Sequence, residues 1–122
     1  MTTDAAVDRD VSLAAALDVQ PRHLALVRAI LGRHVPDRTV VAFGSRVPGA
    51  GVAAKPWSDL DVAILGDQRL PRVVAARLVS DFEESALPFR VDVVEWAAAS
   101  AAFRQRIADR SIVLQPSAGA VP

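Results

Sequence analysis

The chain has 122 residues, 14 acidic against 14 basic side chains and no cysteine, which bounds a single domain with neither a disulfide framework nor a thiolate zinc site. Balanced charge leaves no electrostatic footprint for tight nonspecific nucleic-acid binding, so nucleic acid is disfavoured as the main partner. The apolar runs are too short to span a bilayer, and the start carries Asp4, Asp8 and Asp10 where a secretory signal would be basic and then apolar, so no membrane segment and a cytoplasmic location are expected.

Residues 1–20 are rich in Ala and Asp and are expected to form a mobile N-terminal extension, with a short helix over Ser12 to Leu17. Pro21 suits the first turn of the next helix. Within it Leu24, Val27, Ile30 and Leu31 recur at helical spacing, while Arg22, Arg28 and Arg33 take the opposite face. This helix should cover a sheet. His23 and His34 near its ends lack metal-ligand spacing and read as surface or capping residues. Pro36 and Asp37 then turn the chain into a short β-branched run, Val40 to Phe43, which Gly44 ends as it would end a buried strand.

From Arg46 to Pro56 the chain is small residues with two prolines, which predicts a mobile loop. Lys55 reads more simply as a solvated side chain than as a triphosphate contact, and Trp57 more simply as packing than as a base stack. A second strand follows, Asp61 to Leu65. Residues two apart share a strand face, so Asp59 and Asp61 point one way while Leu60, Val62 and Ile64 point the other. At about 4 Å two like charges repel by about 4 kcal/mol even at an effective dielectric of about 20, so the pair calls for a cation. Mg²⁺, which is held by one or two carboxylates plus substrate phosphates, answers that call. Antiparallel pairing of the two strands would bring Gly44 and Ser45 to the aspartates. There glycine admits close backbone approach, the N–H groups and hydroxyl meet phosphate oxygens, and Arg46 adds a cation.

Pro71 to Glu84 is long enough for the crossover helix of a parallel pair, with Val74, Leu78 and Phe82 inward and Arg72, Arg77 and Asp81 off that face. Its arginines come early and Asp81, Glu83 and Glu84 late, against the helix dipole, at a cost of a few tenths to about 1 kcal/mol each. After Pro88, the run Arg90 to Val94 predicts a strand that delivers Asp92 to the first two acids. Ser100 caps a last helix with Phe103 and Ile107 inward, Ile112 to Leu114 forms a short edge strand, and residues 116–122 are a small-residue tail expected to be disordered. The fold class is α/β (α+β), a small mixed sheet flanked by helices in one domain over residues 21–115.

Gly44-Ser45, thirteen residues, Asp59-x-Asp61 before an apolar strand, and Asp92 in the next strand together resemble the minimal nucleotidyltransferase (MNT) domains of the DNA polymerase β-like superfamily. The resemblance runs from about His23 to Gln115. It departs at Pro48 and the extra Ala50-Gly51-Val52, which lengthen the loop. The resemblance implies a polymerase β-like nucleotidyltransferase fold, ATP as donor and AMP as the transferred group. It implies Asp59, Asp61 and Asp92 as catalytic residues that also hold two Mg²⁺ ions, and Gly44, Ser45 and Arg46 as the residues that position the phosphates. Stand-alone domains of this kind resemble antitoxins paired with a small helical HEPN ribonuclease toxin. Three functions stay open: an enzyme that adenylylates such a partner, a module that silences it by binding, and an adenylyltransferase of small alcohols such as aminoglycosides.

Overall fold

Along β1 (Val40–Phe43) every side chain is buried, and the strand period of two sends them to opposite faces. Val40 and Ala42 pack with Leu60, Val62 and Ile64 of β2 (Leu60–Ile64) in one core. Val41 and Phe43 pack with Ala63 and Ile107 in a second. A continuous apolar run requires this cover on both sides. The computed structural model describes residues 13–47 and 58–117. In it β3 (Val91–Glu95) and β4 (Ser111–Gln115) flank the two central strands in the order β3-β2-β1-β4. β1 is antiparallel to β2 and to β4, and β2 is parallel to β3, so the sheet is mixed, as the sequence predicts.

The parallel pair needs a crossover, which α2 (Arg72–Glu84) supplies, burying Leu78 and Phe82. It lies on the same face as α1 (Pro21–His34), whose Leu24, Val27, Ile30 and Leu31 are the stripe read from the sequence. α3 (Ala101–Asp109) covers the opposite face. It starts at Ser100, whose Oγ accepts the Phe103 N–H at 3.1 Å, and it inserts Ile107 beside the half-buried Phe103. Among the described residues, α1 and α2 on one side, the sheet, and α3 on the other thus make three layers. No described helix is long and apolar enough to cross a membrane.

Two sequence expectations change here. The sequence places residues 1–20 in a mobile extension with a short helix over Ser12 to Leu17; residues 13–16 are indeed helical, but the segment is held in place, with Ala14, Leu17 and Val19 buried in the first core. The reason is local: Leu13, Ala14 and Leu17 make one apolar helical stripe. Asp18, at φ 55°, then takes the left-handed conformation that Asp tolerates better than most residues and turns the chain toward α1. Burying one leucine is worth about 1.5–3 kcal/mol, enough to hold so short a segment down. The second change concerns the acids late in α2. Asp81 accepts from Arg33 at 3.1 Å and pairs with His34 Nε2 at 2.6 Å, so the basic last turn of α1 compensates a charge that the α2 dipole disfavours. His34 is accordingly a buried-side tie between helices and not a surface residue.

Candidate active site

Register places the acids. Phe43 of β1 faces Asp61 of β2, and Asp61 faces Asp92 of β3. By alternation all three belong to the α3 side of the sheet, together with Ala63 and Val94. Asp61 is half-buried. Asp59, which lies two residues earlier and just outside the strand, is exposed.

Gly44 turns the chain out of β1 at φ +84° and opens a 3-10 turn over Gly44–Arg46. A side chain is excluded there twice over. The backbone conformation is one that L residues rarely adopt, and a Cβ would collide with Asp61 Oδ2 and stand 3.1 Å from its Cγ. The Asp61 carboxylate therefore lies directly over the Gly44 backbone. Ser45 is exposed beside it. A cavity of about 380 Å³ opens at this point, lined by Phe43, Gly44, Ser45, Arg106, Asp109 and Arg110.

Burial raises the pKa of Asp61 above the ordinary carboxyl value. Asp92 and Asp59 push it further in the same direction, and Arg106 alone opposes them. Carboxylates placed so that Asp92 and Asp59 act on Asp61 are hard oxygen donors of the type a divalent cation takes. The described residues do not, however, gather three or more Asp, Glu or His side chains into a ready-made metal site. The acids lie along one edge of the sheet, Asp61 in register with Asp92 and Asp59 two residues earlier, with the half-exposed Asp92 carboxylate 3.5 Å from Arg90.

Arg46 departs from its expected place. The residue is 4% exposed and its guanidinium points into the protein, donating through Nε and Nη2 to the Ser58 carbonyl at 3.1 and 2.9 Å and through Nη1 to the Asp18 carbonyl at 2.7 Å. Burial lowers its pKa, which the nearby Asp18 partly offsets. A cation so enclosed is not free to meet a phosphate, so the expectation that Arg46 binds phosphate is corrected. Among the described residues, Arg106 is the cation that acts on Asp61, and it lines the cavity with Arg110; neither is among the residues singled out from the sequence. The signal for Arg106 was present: it lies three residues after Phe103 and one before Ile107, on the flank of the α3 face that packs on the sheet. Lys55 and Trp57 lie outside the described residues.

Residues 27–117 match the family described as polymerase beta, nucleotidyltransferase. The chain belongs to that family. It is 46% identical over 101 residues to the probable protein adenylyltransferase MntA of Haemophilus influenzae, covering 83% of this chain and 86% of that one. Among solved structures it is similar to a toxin–antitoxin crystallised with AMP-PNP, with TM-score 0.60, 24% identity, and 78% of this chain and 74% of that chain covered. It is also similar to a chain of the tri-AMPylated Shewanella oneidensis HEPN toxin in complex with MNT antitoxin, with TM-score 0.59, 23% identity, and 81% and 74% covered. At these identities the two structures establish the polymerase β-like fold.

Proposed function

We propose that this chain is a Mg²⁺-dependent adenylyltransferase that moves AMP from ATP to a hydroxyl side chain of a helical HEPN toxin in the cytoplasm, acting as the antitoxin of that pair. The observation that carries the reading is the Asp61 carboxylate over Gly44 and in register with Asp92. It sets acids from two strands against a small-residue turn with an exposed serine. The 46% identical relative named a probable protein adenylyltransferase, together with structural relatives that include an AMPylated HEPN toxin with its MNT antitoxin, supports the donor, the transferred group and the partner.

Ser45 and the Gly44 backbone accept the phosphates of ATP into the cavity on the α3 side, and Arg106 offsets their charge in the place first expected of Arg46. Asp59 before β2, Asp61 on β2 and Asp92 on β3 would hold Mg²⁺. When bound, the metal neutralises phosphate charge and makes a hydroxyl oxygen a better nucleophile. In the transfer the acceptor oxygen bonds to the α-phosphorus, the bond from that phosphorus to the bridging oxygen breaks, and pyrophosphate leaves. The hydroxyl proton passes to the Asp92 carboxylate, which is half-exposed and in register with Asp61.

The test is to incubate the purified chain with ATP, Mg²⁺ and a co-encoded HEPN protein. Adenylylation of the HEPN protein supports the reading. A bound and silenced but unmodified HEPN protein replaces it with antitoxin action by binding alone. Transfer to an aminoglycoside or similar alcohol, with the HEPN protein ignored, replaces it with small-molecule modification.

A further inference from the structure

Arg46 sits where four segments meet. It follows Ser45 of the phosphate turn. Two of its N–H groups hold the carbonyl of Ser58, the residue before Asp59, and a third holds the carbonyl of Asp18 in the N-terminal segment. Its plane also lies over the Phe89 ring, 4.8 Å from the centroid. Phe89 comes three residues before Asp92, and the next residue, Arg90, accepts the Leu60 N–H at 2.9 Å as the β2–β3 ladder opens. One planar cation thus touches the entrance of both strands that bear the acids. Hydrogen bonds from a charged donor are stronger than neutral ones, and a buried guanidinium that lost its acceptors would be costly. The contacts therefore fix one another.

We infer that Arg46 is a positioning residue for the transfer reaction: it sets Asp59, at the entrance of β2, and Asp61 on β2 against Asp92 on β3, and through Asp18 it makes the segment around residue 18 part of the same device. The kinetic consequence rests on the transfer reaction proposed above, while the positioning itself does not. Lysine cannot replace it, because an ammonium is a point donor that lacks both the planar fork and the stacking face.

Arg46→Lys keeps the charge and is the main test. Hydrogen exchange should quicken together at amides 58–61 and 89–92 by at least about tenfold, while the buried turns of α1 are unchanged. Mn²⁺ binding measured by calorimetry should weaken. In the transfer assay kcat should fall about 10–100-fold, the scale that a displacement of about 1 Å can cost, with KM for ATP nearly constant. A residue gripping phosphate would instead raise KM. Should Arg46→Lys fail to fold, Phe89→Leu keeps an apolar side chain but removes the stacking face, and it should quicken the same two segments together. Faster exchange at 58–61 without 89–92, or an unchanged kcat at an unchanged Mn²⁺ affinity, would overturn the inference. If wild type transfers no AMP to any acceptor, the functional reading fails, and the paired exchange still decides whether Arg46 holds the two strand entrances.

Discussion

Replacing Gly44 by alanine probes the contact on which the site depends. At φ +84° an L residue pays roughly 1–2 kcal/mol. The new methyl also meets the Asp61 carboxylate, which must leave its rotamer at a cost of roughly 0.5–1.5 kcal/mol. Gly44→Ala should therefore destabilise the protein by about 2–3 kcal/mol, a drop of roughly 8–15 °C in melting temperature for a domain of this size. In the Asp61→Ala background only the backbone part remains. Denaturant unfolding of wild type, the two single variants and the double variant should give a coupling near 1 kcal/mol, above the 0.3–0.5 kcal/mol or so within which independent sites add. Strict additivity would refute the placement of Asp61 over Gly44. AMP transfer by Gly44→Ala at the wild-type rate would refute the claim that this placement matters to the chemistry.

The pKa of Asp61 is raised in the folded state, so the native protein binds that proton more tightly than the unfolded chain, and the stability this gives is lost as pH rises above about 4 and through the folded value. Asp61→Asn should then melt higher than wild type at pH 7 in metal-free buffer, with the gap closing as pH falls toward 4. Asp81 has the opposite sign. Its pKa is lowered by the hydrogen bond to His34 and by Arg33, so it stabilises above about 4 and that contribution disappears as pH falls through the depressed value. Asp81→Asn should melt lower than wild type at pH 7 and converge with it in acid. Mg²⁺ should raise the melting temperature of wild type by binding the native state, and the Asn variants at Asp59 and Asp61 should lose most of that shift. Arg106→Ala, on an exposed position of α3, should weaken ATP binding in calorimetry by several-fold with little change in stability.

Most of the fold was legible because each element announced its own period. The double-sided burial of Val40–Phe43 and Leu60–Ile64, the α1 stripe, the crossover before Asp92 and the Ser100 cap all depend on neighbours in sequence, and all stand in the structure. What escaped depends on partners far along the chain. Arg46 has the composition of a phosphate ligand, and only the arrival of Asp18, Ser58 and Phe89 shows that it faces inward. Arg106 is one of two arginines on its helix until the sheet direction places it by Asp61. The acids late in α2 look misplaced until Arg33 and His34 of α1 meet Asp81. Around residues 13–19 the short helix is legible in the sequence, while its burial shows only once Ala14 and Leu17 meet the core.

The central claim is that the aspartate edge beside Gly44 transfers AMP to a protein partner. Mass spectrometry of a HEPN partner co-expressed with wild type and with Asp61→Asn tests it most directly. An adenylyl increment is expected on a hydroxyl side chain of the partner with wild type and none with Asp61→Asn. An increment that persists in the Asp61→Asn variant, or a partner silenced by wild type without any increment, would contradict it.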